Sequence, residues 1–235
     1  MTYVHSLPQS KTIGLIGATG KLGQEILHQV KNFPHFSISA FFSTAHPATK
    51  ECAVDLLLDV SSPLALLHNL EVALDLSIPI LVGTTGHATL EPLHAASRHL
   101  PIFYAPNFSL GMILMKQALL LFAKGLPCIN AVQIRETHHT KKKDSPSGSA
   151  KMLADALRTS LPSLTPQIHS ERRGEVVGIH EISFKTDYEE ITLIHQVNSR
   201  ALFAQGALLA AEFLVQQPPG LYSMEELSSW QRKFA

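Results

Sequence analysis

Cysteine is nearly missing from this chain. Cys52 and Cys128 are its only 2, too few and too far apart for a disulfide framework or a zinc knuckle, so they imply a reducing cytoplasm and read as small core residues. An excess of charge is missing as well: 19 Lys and Arg balance 19 Asp and Glu, and no global field favours nucleic acid or an anionic membrane. Met1 to Gln9 has neither the basic start nor the apolar centre of a signal peptide, and the apolar stretches are too interrupted to span a bilayer. Internal repeats and low-complexity tracts are lacking, the one Pro-rich piece being Gln216 to Gly220. The 13 histidines show no HExxH and no His/Cys ligand spacing, so no metal site is expected. These absences leave a soluble chain of 235 residues, 45% hydrophobic, with enough apolar content for one large or two small domains.

What charge there is gathers in one place. The run ETHHTKKKDSPSGSA, Glu136 to Ala150, puts two adjacent histidines, a lysine cluster, an aspartate and a Ser-Gly-Ser turn in one loop. Lysines beside His138 and His139 attract a dianion, an imidazole moves a proton near neutral pH, and N–H groups of Ser147, Gly148 and Ser149 at a helix start suit a carboxylate. A merely solvated basic loop needs neither paired histidines nor a Pro146-Ser147-Gly148 turn leading into an apolar helix.

The first half alternates strands and helices. Thr12 to Ile16 reads as a strand meeting Gly17-Ala18-Thr19-Gly20-Lys21-Leu22-Gly23 and a helix to about Val30. Gly17 permits the tight turn, Gly20 lets the backbone approach a pyrophosphate, and Gly23 lets helix pack on strand, although the spacing is GxxGxxG rather than GxGxxG. A strand from Ser37 to Phe42 ends at Ser43-Thr44, where an acidic ribose reader is absent; Ser43, Thr44, His46 and Lys50 either accept a 2′-phosphate or form an ordinary polar loop. Strands follow at Ala53 to Val60, Ile78 to Val82 and Ile102 to Tyr104, with a helix from Leu64 to Leu76. The later loops Gly83-Thr84-Thr85-Gly86 and Ala105-Pro106-Asn107-Phe108-Ser109 share the strands' C-terminal edge with the first glycine turn, where open α/β sheets bind ligands.

From Leu110 the pattern is α+β. A helix to about Lys124, a strand from Ile129 to His138, a helix from Ser149 to Ser160, and strands at Val176 to Lys185 and Ile191 to Val197 are expected, then helices at Ala201 to Val215 and Met224 to Trp230. The fold class is α/β: a Rossmann-like doubly wound parallel sheet (1–109 and 207–235) plus a smaller α+β domain with an open mixed sheet (110–206).

Taken in order, GATGKLG, GTTG, APNFS with LGM, ETHHTKKKDSPSGSA, RRGEVVGIHEISF and IHQVNSRALFAQGAL resemble the 4-hydroxy-tetrahydrodipicolinate reductase family, also called dihydrodipicolinate reductase, over nearly the whole chain. The family's E-x-HH-x-x-K-x-D-x-PSG-[ST] loop is matched at every fixed position. The resemblance implies hydride transfer from NADPH or NADH to a cyclic dicarboxylate imine, in diaminopimelate and lysine synthesis, by a cytoplasmic homotetramer built through the sheets of the second domain; the apolar strands near Ile179 to Phe184 and Ile191 to Ile194 fit such burial. It also implies His138 as proton donor, Lys142 as catalytic lysine, His139, Gly148 and Ser149 as substrate-binding, and Gly17 to Leu22, Gly83 to Thr85 and Ala105 to Phe108 as cofactor-binding. Ser62 stands where some members carry an arginine, and Ser149 where threonine is commoner. His180 and His195 read as core or interface histidines, Arg200 as a helix-start cation. Two other classes compete: a non-catalytic dinucleotide-binding protein, which needs no proton donor, and an aspartate-type dehydrogenase, which the paired histidines and PSGS turn disfavour.

Overall fold

Residues 9–231 are described by a computed structural model. The opening segment read for a signal peptide lies, Gln9 excepted, outside them. The chain divides into two compact units, one reaching Ser109 and resuming at Ala201, the other Leu110–Arg200.

In the first unit, strands β1 (Lys11–Ile16), β2 (Phe36–Phe42), β3 (Leu56–Asp59), β4 (Ile80–Val82), β5 (Pro101–Tyr104) and β10 (Gly220–Tyr222) form one sheet. Every pairing is parallel, in the order β10-β5-β4-β3-β1-β2. A parallel sheet is covered on both faces, which is why Leu56, Leu57 and Leu58 run consecutively and are all fully buried. Helices α1 (Lys21–Gln29), α2 (Leu66–Leu76), α3 (Glu91–Ala96), α6 (Ala201–Leu214) and α7 (Met224–Gln231) complete this unit. Leu66, Leu70 and Ala73 of α2 pack with Ile80, Val82, Leu93 and Ile102, each side chain contributing roughly 1.5–3 kcal/mol for the larger aliphatics. Because β1 lies between β2 and β3, the winding reverses there, and the crevice at that edge is the place a ligand is expected.

In this unit three features depart from the sequence expectation. Helix α3 is too short at 6 residues to display a helical period, and β10 is 3 residues inside the Pro-rich connector, formed by pairing with β5. The chain returns to the first unit at Ala201, not at residue 207, because α6 is apolar nearly all round and buries Ala204, Ala207, Leu208, Ala211 and Leu214 within that unit.

The second unit holds α4 (Leu110–Gly125), β6 (Ala131–His138), α5 (Gly148–Ser160), β7 (Gln167–Arg172), β8 (Gly178–Lys185) and β9 (Glu190–Val197). Its 4-stranded sheet runs β7-β6-β8-β9, parallel between β6 and β7 and antiparallel elsewhere, hence open and mixed. Alternate residues of one face, Val132, Ile134, Ile182, Phe184 and Leu193, pack on Met112, Met115 and Leu119 of α4 and Leu153, Ala154 and Leu157 of α5. The apolar character of β8 and β9 is therefore largely spent on this unit's own core, with Ile194 left 64% exposed on the other face. Strand β7 was not expected: its sequence QIHSER is mostly exposed and carries no apolar alternation.

Candidate active site

Three loops meet the C-terminal edge of the first unit's sheet. Gly17 has φ +92°, and a Cβ there would lie 2.7 Å from the Val60 carbonyl oxygen, so the turn after β1 fits closely against the segment after β3. Gly23 could bear no side chain either, since its Cβ would come 2.2 Å from the Gly17 oxygen. Gly20 is different: a Cβ there meets nothing nearer than that oxygen at 3.4 Å, and Gly20 caps α1 without a side-chain bond. The amides of Lys21, Leu22 and Gly23 thus begin a helix with no intrahelical acceptors and no acidic residue in the first turn. Thr19, Gly20 and Lys21 are exposed and Ala18 and Leu22 half-buried, while the Gln24 side-chain amide braces the loop by donating to the Ala18 carbonyl at 2.6 Å. An open, positively polarised helix start beside a glycine with room above it fits the pyrophosphate of a dinucleotide.

The other two loops divide into residues that face outward and residues that hold them. Thr85 and Pro106 are exposed. Thr84 is buried, its hydroxyl 3.2 Å from Oδ1 of the fully buried Asp59, which also accepts from the Ser61 N–H and hydroxyl and, at Oδ2, from Asn69. Ala105 is buried, its N–H donating to Val82, and the Asn107 side-chain oxygen accepts from the Ser109 N–H at 2.9 Å. Phe108 is 2% exposed and lies beneath Gly83, where a Cβ would touch its ring at 2.5 Å, and against Gly206, where a Cβ would fall 1.9 Å from its carbonyl oxygen. Thr84, Ala105 and Phe108 therefore shape the cradle from within. After β2, Ser43, Thr44, His46 and Lys50 are all exposed, and the Ser43 hydroxyl accepts from the His46 N–H.

The second unit gathers its titratable groups at one end of its sheet. Glu136 and His138, two apart on β6, share the face that carries Val132 and Ile134. In register with Glu136 lie Ser170 on β7 and His180 on β8, and His180 is in turn opposite His195 on β9; His138 is level with Arg172. Glu136 is fully buried. Its Oε1 accepts from the Ser147 N–H at 3.3 Å and from Arg172 at 3.0 Å, and its Oε2 meets His138 Nδ1. Burial pushes the Glu136 carboxyl up, but hydrogen bonds from Ser170 and Arg172 and the charges of His138 and Arg172 prevail and hold it below the usual carboxylate range. Burial likewise depresses His138; Glu136 opposes this, while Lys142 and Arg172 add to it, and the net direction is down.

Around this pair the loop residues take their places. Lys142 is the sheltered lysine of its triplet, paired with Asp144 at 2.8 Å and 23% exposed at its side chain, whereas Lys141 is 71% exposed in its pair with Glu175; Lys143 is exposed too. Ser147 caps α5 by accepting from the Ala150 N–H and also lies 3.3 Å from His180 Nε2. The helix begins one residue earlier than expected, at Gly148, whose N–H is directed to the Asp144 carboxylate. Two of the three amides expected to hold substrate are thus engaged by the protein's own carboxylates. Gly148 is exposed with open space where a Cβ would stand, and Ser149 and His139 are half-buried. His180 is buried and pushed down to about 4, chiefly by burial and then by His138; His195 is lowered by burial.

Glu136, His138 and His180 place possible ligand atoms within 4.8 Å of one another, a grouping invisible to sequence spacing because two strands supply it. The Arg172 guanidinium on Glu136 sets a positive charge beside the trio, which suits a mobile proton better than a metal cation.

Family models match on both halves: "Dihydrodipicolinate reductase, N-terminus" over residues 11–108 and "Dihydrodipicolinate reductase, C-terminus" over 111–227. The chain belongs to the dihydrodipicolinate reductase family. Family relatives called 4-hydroxy-tetrahydrodipicolinate reductase include one from Bdellovibrio bacteriovorus, 35% identical and covering 92% of this chain and 95% of the relative. Another, from Rickettsia rickettsii, is 36% identical with coverage of 92% and 98%. A solved family structure, the dipicolinate-bound dihydrodipicolinate reductase from Paenisporosarcina sp. TG-14, has the same fold, with a TM-score of 0.77 at 24% identity over 92% of this chain and 98% of that one.

Sequence reasoning gave no role to Glu136, Arg172 or Asp59. For Glu136 the signal was available, since two residues apart on a strand means one face. Arg172 reaches Glu136 only because the unexpected β7 pairs with β6, and nothing in the sequence around Asp59 marks it out until Thr84 and Asn69 are seen bonded to it.

Proposed function

We propose that this chain reduces 4-hydroxy-tetrahydrodipicolinate, after loss of water to dihydrodipicolinate, to tetrahydrodipicolinate with NADPH or NADH, the reductive step towards diaminopimelate and lysine. The observation that carries the proposal is the buried Glu136–His138 pair of β6 beside Lys142, in a run from strand to helix that keeps every fixed position of the family motif. The names of the relatives and the dipicolinate bound by the structural neighbour support the same substrate class.

Gly17 to Leu22 would hold the pyrophosphate on backbone amides, with Gly83 to Thr85 and Ala105 to Phe108 forming the rest of the dinucleotide site. When bound, the dinucleotide supplies a hydride, two electrons and one hydrogen. His138 supplies the matching proton to the electron density that builds on the ring, and Lys142 stabilises the same charge. His139 and Ser149 would hold a carboxylate of the substrate, as would the Gly148 amide in exchange for its bond to Asp144. The cofactor preference leans modestly to NADPH, because no carboxylate follows β2 to repel a 2′-phosphate. No helix among the described residues is long and apolar enough to cross a membrane, in keeping with a cytoplasmic enzyme, and neither membrane nor nucleic acid is a partner in this proposal. A homotetramer is the expected assembly, and solution mass measures it.

The test is spectrophotometric: oxidation of NADH and NADPH by purified protein, with substrate generated in situ from pyruvate and aspartate semialdehyde. Oxidation that requires both precursors supports the proposal. Cofactor binding without turnover would point to a non-catalytic dinucleotide-binding protein.

A further inference from the structure

A histidine that donates a proton needs a fixed ring and a settled partner for its other nitrogen, because the bond made at Nδ1 decides what Nε2 presents. Glu136 meets both needs. It is fully buried, yet a buried charge contributes little to stability compared with a well-packed apolar residue. Its own position is fixed at Oε1 by the Ser147 N–H at 3.3 Å and by Arg172 at 3.0 Å, leaving Oε2 against His138 Nδ1. The same Arg172 donates through its second terminal nitrogen to the Asp144 carbonyl at 2.6 Å, so the group that steadies Glu136 also steadies the loop carrying Lys142. On the far edge of the ring, Gly178 has no side chain where a Cβ would come 3.2 Å from Nε2.

We propose that Glu136 is a positioning residue: its carboxylate holds the Nδ1 proton of His138, orienting the ring so that Nε2 delivers the proton consumed in the reduction. This rests on the function proposed above. In the step, hydride adds to the substrate, the Nε2–H bond of the cationic ring breaks, its proton forms a new bond on the substrate, and the neutral ring keeps its Nδ1 proton on Glu136. The charged or titratable groups facing His138 are Glu136 on its own strand, Lys142 in the loop, Arg172 on β7 and His180 on β8, with His195 behind His180.

The experiment is the pH profile of kcat/KM for the wild type, Glu136→Gln and Glu136→Asp, with NADH affinity followed by fluorescence. The protonated ring is the active form, so the rate falls as pH rises through its pKa. Without the carboxylate charge that fall moves to lower pH. Glu136→Gln is expected to lose about 10- to 100-fold on the alkaline side, with the deficit shrinking as pH falls and NADH affinity unchanged. Glu136→Asp, which keeps the charge, restores the position of the limb. A loss of the same size at every pH, or an unmoved limb, overturns the proposal. Should Glu136→Gln fail to fold, nitrogen-15 spectra of histidine-labelled wild type decide instead: the neutral His138 ring is expected with its proton on Nδ1, and a proton on Nε2 overturns the proposal. A wild type with no reductase activity strikes the proposed function, and the spectra still answer for the Glu136–His138 pair.

Discussion

His138 and His180 meet edge to face, their ring centroids 5.1 Å apart and their planes at 77°. Two cationic rings this close repel each other, and burial adds to the cost for His180, whose pKa falls to about 4. The inner ring thus stays neutral, and the proton of the pair belongs to His138, with Glu136 at its side.

Stability should follow from that neutral ring. The folded pKa of His180 lies below the unfolded value of 6.5, so as pH falls below about 6.5 the unfolded chain takes up the proton first and folding weakens until about pH 4, by up to about 3 kcal/mol. His35, His138 and His195, also lowered, steepen the same slope. Urea titrations across this range should give a shallower acid loss for His180→Gln, and an unchanged slope would remove His180 as its source.

Turnover should depend on the outer ring. His138→Ala is expected to lower kcat by about 10²- to 10⁴-fold, the usual worth of a positioned acid, with a smaller effect on cofactor affinity. Steady-state rates with folded protein check this; full turnover would exclude His138 from the chemistry.

The lysines should separate by shelter. Lys142→Ala costs both turnover and substrate affinity, while Lys141→Ala and Lys143→Ala change mainly how substrate capture responds to salt, because exposed charges act through a screened field. Kinetics of the three variants at two ionic strengths would contradict this if a flanking lysine proved as damaging as Lys142.

In the first unit, Gly20→Val should weaken NADH and NADPH binding without unfolding the protein, since the position is open above the backbone and the branched side chain takes the space of the pyrophosphate. Gly23→Val should instead destabilise the fold, its Cβ being forced to 2.2 Å from a backbone oxygen. Fluorescence titration and thermal melts of both variants test the contrast.

Cofactor choice should be set at the end of β2. NADPH is expected to be favoured over NADH by about tenfold, or about 1.4 kcal/mol, and Ser43→Asp should reverse this by repelling the 2′-phosphate and accepting from the ribose hydroxyls. Side-by-side kcat/KM values decide it: a strong native preference for NADH, or no response to the carboxylate, would mean this strand end does not read the ribose.

Much of this arrangement was legible in the residues. Glycine turns, strand-length apolar runs and the Pro146-Ser147-Gly148 helix start are local chemistry, and they gave the parallel sheet, the return helix and the loop at His138. What was not legible depends on partners distant in sequence. Strand β7 is polar and exists by pairing with β6, β10 by pairing with β5, and α3 is too short to show a period. The Thr84 hydrogen bond to Asp59 likewise arises only when β3 and β4 lie side by side, and the Asn69 bond only when α2 packs back on β3.

Phe108 fills the places of two missing side chains, those of Gly83 and Gly206. Three segments far apart in sequence therefore share one wall, and none can change size alone. A methyl group at 206 would press on the Phe108 carbonyl and shift the backbone that carries the ring beneath Gly83, so that a substitution deep in a helix would surface as a fault in cofactor affinity. A smaller residue at 108 would make room for a side chain at 83 but not at 206, where the obstacle is a backbone carbonyl that every residue carries. Substitutions at 83 and 108 are thus coupled, and their effects measured singly will not add.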